Sequence, residues 1–230
     1  MTTFSILGDD DPFLHVAMQK GDRIYCESDA MVMMESALEL KGRMTGGLGS
    51  ALLRKFTNGE NFFQQHIEAV RGNGDCLLAP TLPGAIEILD IGKAQYILAD
   101  GAFVAATSGV EMKVKMQSIG NALFASSGGF VAMTSSGQGQ LVVSGFGSIF
   151  TLEINEGKET MIDNGHVVAW DANLRYSLGM STSNTGFLGG VVNAATSGEG
   201  IILRFSGHGN VLVCSRNRTN FLRWAASKTN

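Results

Sequence analysis

The 230-residue chain contains no apolar run approaching the ~18 residues that a membrane-spanning helix needs. Residues 1–11 lack the basic start and apolar core of a secretory leader, so a cytoplasmic location is expected. Cysteine is scarce: Cys26, Cys76 and Cys214 are odd in number and show no C-x-x-C spacing. A disulfide framework or a zinc ribbon is thereby excluded, and buried reduced thiols are expected. Proline occurs only three times, which, beside abundant glycine, suits many tight turns and not a disordered or collagen-like segment. Basic residues are outnumbered, 17 to 21, giving a net charge of -4. No global positive field recruits nucleic acid or anionic lipid, so nucleic acid is disfavoured as a partner.

Catalytic signatures are equally sparse. The four histidines, His15, His66, His166 and His208, form neither an H-x-H nor an H-E-x-x-H pattern. His166 and His208 both fall beside turns in the last third of the chain, the one placement in which a cupin-like metal pair would be sought. The two Gly-Lys pairs continue as Gly92-Lys93-Ala94 and Gly157-Lys158-Glu159, so neither is a phosphate-cradling loop. No G-x-S-x-G elbow is present. Asp9-Asp10-Asp11-Pro12 lacks the spaced oxygens of a calcium loop and reads as a solvated turn. Glu87 and Glu153 read as solvent-side residues of alternating strands. No catalytic, cofactor or metal residues are assigned.

What the chain has in abundance is glycine, 30 residues of it, arranged as punctuation between apolar runs. Gly72-Asn73-Gly74, Gly145-Phe146-Gly147 and Gly207-His208-Gly209 each precede such a run, and each follows a further glycine-bearing turn, at Gly59, Gly137 and Gly198. Another set of turns, at Gly21, Gly101 and Gly165, separates earlier strand-like runs. Asp-Gly and Asn-Gly between apolar runs predict hairpins. The middle residue of Gly-x-Gly changes freely, so the glycines are the repeated requirement. The charges of Glu111-Met112-Lys113-Val114-Lys115-Met116 alternate with apolar residues as in a half-buried antiparallel strand. Three similar β units are expected within one domain, over about 13–89, 90–154 and 155–217, followed by a C-terminal cap over 218–230. They either stack in a line or close around an approximate threefold axis.

Two stretches have helical patterning. One is 50–56, with Leu52, Leu53 and Phe56 on one side beside Arg54-Lys55. The other is 220–227, with Phe221, Leu222, Trp224 and Ala225, which is expected to dock over an open end of the β body because an exposed cluster of this kind is a liability. Arg216, Arg218 and Arg223 lie close by. With Phe221 and Trp224 they form the candidate interaction surface, suited to a protein partner and with too few charges to make peripheral membrane contact a strong expectation.

Lys20-Gly21-Asp22, Ser28-Asp29-Ala30-Met31-Val32, Gly46-Gly47, Asn58-Gly59-Glu60-Asn61-Phe62-Phe63, Gly72-Asn73-Gly74 and Pro83-Gly84 together resemble the altered-inheritance-of-mitochondria 24 family, also catalogued as domain of unknown function 124. The likeness spans almost the whole chain, with Asp22 standing where a glutamate is usual. The resemblance implies an all-β fold like the tryptophan RNA-binding attenuation protein, a sandwich akin to a double-stranded β-helix, with three antiparallel units in one chain. It implies no established enzyme activity and no catalytic residues. The expected function is a non-catalytic scaffold acting through protein–protein assembly as a homo-oligomer. A small-ligand or RNA-binding module is the alternative, and a cupin-like metalloenzyme the third reading.

Overall fold

The computed structural model describes residues 1–43, 64–117, 130–180 and 201–228. The expected turns at Gly59 and Gly198, the Gly46-Gly47 and 118–121 segments and the helix over 50–56 lie outside the described residues. Within them the chain is mostly antiparallel β, and the all-β expectation holds.

A first strand, β1 (Thr3–Leu7), precedes eighteen others that fall into three sets of six. The first set is β2 (Phe13–Met18), β3 (Arg23–Glu27), β4 (Met31–Met34), β5 (Glu39–Arg43), β6 (Gln64–Glu68) and β7 (Gly74–Leu78). The second is β8 (Ile86–Ile91), β9 (Tyr96–Ala99), β10 (Phe103–Thr107), β11 (Val110–Gln117), β12 (Phe130–Gly137) and β13 (Gly139–Ser144). The third is β14 (Ile149–Ile154), β15 (Thr160–Asp163), β16 (Val167–Asp171), β17 (Arg175–Met180), β18 (Ile201–Ser206) and β19 (Gly209–Cys214).

The pairing is the same in each set. The sixth strand lies between the first and the third, and the fifth lies between the second and the fourth. Each set thus contributes three strands to one sheet and three to the next. Successive sets are joined where the second strand of one pairs with the third of the following set: β3 with β10, and β9 with β16. The resulting sheets run β1-β2-β7-β4, β5-β6-β3-β10-β13-β8, β11-β12-β9-β16-β19-β14 and β15-β18-β17. Hydrogen bonding therefore places β8 and β14 at the start of the sets that follow them, giving units of 13–78, 86–144 and 149–214.

Local sequence explains the strands, and burial explains their partners. β2 and β7 alternate exposed or half-buried with buried positions, as strands with one covered face do. β11 alternates likewise, with Glu111 and Lys113 exposed and Met112 and Val114 half-buried. β10 and β16 instead carry consecutive apolar residues, Phe103-Val104-Ala105-Ala106 and Val167-Val168-Ala169-Trp170, all buried. A strand enclosed on both faces has no solvent side to place polar residues on.

Two expectations are corrected. The turns at Gly21, Gly101 and Gly165 do not close hairpins, because the strands they connect belong to different sheets; the Gly-x-Gly turns likewise carry the chain between sheets. A glycine turn marks a reversal, while strand partners are chosen by which faces must be buried. Gly145-Phe146-Gly147 is also not the counterpart of the other two Gly-x-Gly turns. It links β13 to β14, whereas the counterpart of Gly207-His208-Gly209 is Gly137-Gln138-Gly139. Gly21, Gly101, Gly147, Gly207 and Gly209 have positive φ, but Gly72, Gly74, Gly145 and Gly165 do not. The expected closure around a threefold axis is not among the observed pairings: β4 and β15 are the outer strands of their sheets.

Three apolar clusters fill the sandwich, and each is shared between neighbouring units. The first adds Ile86, Val104, Ala105 and Val142 to first-unit residues; the second joins Leu98 and Phe103 to Val168 and Leu212; the third joins Ile97 and Ala132 to Trp170 and Phe205. All three thiols are buried and unpaired in disulfides. Burial pushes the Cys26 and Cys76 thiols up to about 12, and raises that of Cys214. The native protein is therefore expected to resist a thiol-modifying dye at pH 8 and to titrate three thiols once unfolded; rapid native labelling would contradict this. The sign with pH follows from the raised values. Their contribution to stability is whole below about 9, where the unfolded thiols are protonated, and declines as pH rises toward about 12.

Candidate interaction surface

β19 leads through Ser215-Arg216-Asn217 into a helix, α1 (Arg218–Ala226). Asn217 starts it: its side-chain oxygen accepts from the Asn220 amide at 3.1 Å and its carbonyl from the Phe221 amide at 3.0 Å. The same side chain donates to Asp163 Oδ2 at 3.3 Å, tying the helix start to the end of β15.

Phe146 is the platform on which this segment rests. It is 4% exposed, its carbonyl accepts from the Arg216 amide at 3.1 Å, and the Arg216 guanidinium carbon lies 5.7 Å from its ring centre. The Phe221 ring meets it edge-on at 5.2 Å, and Trp224 lies 5.9 Å beyond Phe221. A cation over an aromatic face is worth about 0.5–1 kcal/mol at such a partly open site. Arg223 turns to Asn220, donating to Oδ1 at 3.1 Å, and Arg218 reaches toward the turn at Gly101. The structure thus brings Arg216, Phe221 and Trp224 together around Phe146 and sends Arg218 and Arg223 elsewhere.

Phe146 was missed by sequence reasoning, which took the middle of Gly-x-Gly as unconstrained. The signal was its size, since the two turns with which it was grouped carry Asn73 and His208. The expected docking of the helix is also only partial. None of its residues is buried, and Phe221, Leu222 and Trp224 remain 40%, 53% and 58% exposed.

Three of the histidines have structural settings. His166 donates from Nδ1 to the Cys214 carbonyl at 2.7 Å. His15 lies 3.2 Å from Ser5 Oγ and 3.4 Å from Asp75 Oδ1, and the buried His66 meets the Tyr25 ring edge-on. His208 is exposed. Among the described residues no group of three or more His, Cys, Asp and Glu side chains is placed to hold a metal ion. A recess near Gly21 is lined by Asp22, Arg23 and Glu68, with Arg23 Nε 2.6 Å from Glu68 Oε1. Lys41 also donates to Glu68 at 2.9 Å, and this hydrogen bond holds the Glu68 carboxyl below its usual range. Among the described residues no helix is long and apolar enough to cross a membrane.

These features define an antiparallel β protein of three equivalent six-strand sets with an apolar and basic C-terminal surface. The chain belongs to the AIM24 family, described as mitochondrial biogenesis AIM24, whose model matches residues 4–216. It is 35% identical over 216 residues to the uncharacterized protein M6_Spy0233 of Streptococcus pyogenes serotype M6, covering 91% of this chain and 84% of that one. The crystal structure of protein SPYM3_0169 from Streptococcus pyogenes is similar with a TM-score of 0.81 at 30% identity, over 99% of this chain and 100% of that one.

Proposed function

We propose that this protein is a non-catalytic scaffold that works through its surfaces as a homo-oligomer. The observation that carries the reading is α1, which holds Phe221, Leu222 and Trp224 largely in solvent although Phe146 and Arg216 fix where the helix sits. A positioned element that leaves its large apolar side chains uncovered is a surface for another protein. The overall charge of -4, with basic residues gathered beside this helix, gives the molecule opposite local signs suited to self-association.

Light scattering of the purified protein is expected to report one defined species at a multiple of 24.4 kDa. Phe221→Ser with Trp224→Ser is expected to weaken binding to whatever covers the helix while leaving the unfolding midpoint nearly unchanged, because these side chains contribute little to the core. A monomer across the micromolar range overturns the reading. So does stoichiometric metal lost with His166→Ala, or RNA retention that falls steeply with salt and depends on Arg216.

A further inference from the structure

Resting on that reading, we infer that copies of this chain join head to tail by antiparallel pairing of β15 of one copy with β4 of the next. The second-to-third-strand pairing is made twice inside the chain, β3 with β10 and β9 with β16. The third set leaves open the outer edge of its second strand, β15, and the first set that of its third strand, β4. Among the described residues no strand covers either outer edge. Among the described residues the outer strands β1, β5, β8, β11, β14 and β17 are also uncovered, but neither they nor their counterparts join one set to the next; β2, the counterpart of β8 and β14, is covered by β1. Among the described residues only the β4 and β15 edges have a partner type that joins one set to the next within the chain.

Exposure marks the same two edges. Val104 and Val168 at the internal junctions are 0% and 2% exposed, whereas their counterpart Val32 on β4 is 53% exposed. Ala105 and Ala169 are fully buried, while the equivalent Met33 is 40% exposed. On the other side, Ile97 is 8% exposed and its counterpart Met161 on β15 is 59% exposed. The equivalence is fixed by a shared irregularity: β4, β10 and β16 each skip one residue against the sixth strand of their set, at Met31/Met33, Phe103/Ala105 and Val167/Ala169. An uncovered apolar edge of this kind is a template for another strand.

The register follows. Cys26 pairs with Ala105 and Tyr25 with Ala106, as Leu98 pairs with Ala169 and Ile97 with Trp170. The matching pairs between copies are Ile162 with Met33, Met161 with Met34 and Thr160 with Glu35. The joined sheet is β17-β18-β15 followed by β4-β7-β2-β1 of the next copy, the plan of the two six-stranded sheets with β1 added. Charge agrees with the placement. The exposed turn Asp9-Asp10-Asp11 enters β2 as residues 145–148 enter β14, so it meets the Arg216–Arg218 segment of the copy behind. A contact between two different faces closes into a ring if its rotation permits and otherwise extends as a filament.

Mixing full-length Met34→Cys protein with full-length Met161→Cys protein under diamide is expected to give a disulfide-linked pair of chains that neither protein gives alone. Directly opposed strand residues lie within disulfide reach, and the three native thiols are buried. Met161→Lys and Val32→Lys are each expected to reduce the assembly to monomers, and an equal mixture of the two to restore a one-to-one dimer and nothing larger, since only one compatible pair of edges remains. A monomeric mixture, or a disulfide formed within one chain of the Met34→Cys/Met161→Cys double variant, overturns the inference. If wild-type protein is oligomeric but the 34–161 link never forms, the junction is wrong and the scaffold reading stands; if wild-type protein is monomeric, both fail.

Discussion

Trp170→Ala is expected to destabilise the protein by about 3–5 kcal/mol, the range for truncating a fully buried aromatic side chain. Trp170 is 0% exposed, meets the Tyr176 ring edge-on at 5.1 Å and that of Phe205 at 5.7 Å, and stands opposite Ile97 of the preceding unit. Its removal opens a cavity at the junction between the second and third units, where surrounding strands are already hydrogen-bonded and collapse poorly into the space. Urea unfolding followed by circular dichroism measures the loss. Trp170→Phe is expected to recover more than half of it by refilling most of the volume. A cost below about 1.5 kcal/mol for the alanine variant would mean that the junction repacks, contrary to a side chain wedged between units. The same substitution should remove the blue-shifted part of the fluorescence, leaving the exposed Trp224 as the remaining tryptophan.

The position of Trp170 also shows what could be read in advance. The apolar run that ends at Trp170 announced a strand, without saying that both its faces are covered, and the alternation of Glu111 to Met116 announced a strand covered on one. Both are local properties, and the structure has strands there. Which strands pair was not local. Asp100-Gly101 and Asn164-Gly165 carry every feature of hairpin turns, yet β9 and β10, like β15 and β16, lie in different sheets. A turn sequence reports the backbone angles it tolerates, whereas the partner of β10 is decided by Cys26, Tyr25 and Ile24, far back in the chain. The candidate surface was legible for the same reason and to the same depth. Arg216, Phe221 and Trp224 stood out as apolar and basic residues close in sequence, but Phe146, which gathers them, is distant along the chain and became visible only when the 145–148 link came to lie beside the start of α1.

Gly84→Ala is expected to cost about 3 kcal/mol. Two contributions add. Gly84 has φ +149, where a side chain is strained by about 1–3 kcal/mol. Its missing Cβ would also land on the carbonyl oxygen of Gly145 and the amide nitrogen of Gly147, which are backbone atoms and cannot swing aside. Those atoms belong to a close ladder: the Gly147 amide donates to Pro83 at 3.0 Å, the Ala85 amide to Gly147 at 2.8 Å and the Gly145 amide to Ala85 at 3.1 Å. Making room for the methyl separates the two inter-unit links and breaks the ladder. Gly157→Ala separates the contributions, since Gly157 has φ +80 but nothing within 4 Å of an added Cβ. It is expected to lose only the left-handed strain, about 1–2 kcal/mol. Equal urea midpoints for the two variants would show that the close approach of the links carries no weight. Because Phe146 lies between the two glycines of the displaced link, Gly84→Ala should also release its hold on Arg216 and Phe221. Limited proteolysis is expected to cut within residues 216–228 sooner in Gly84→Ala than in Gly157→Ala, which links the ladder between units to the position of the C-terminal helix.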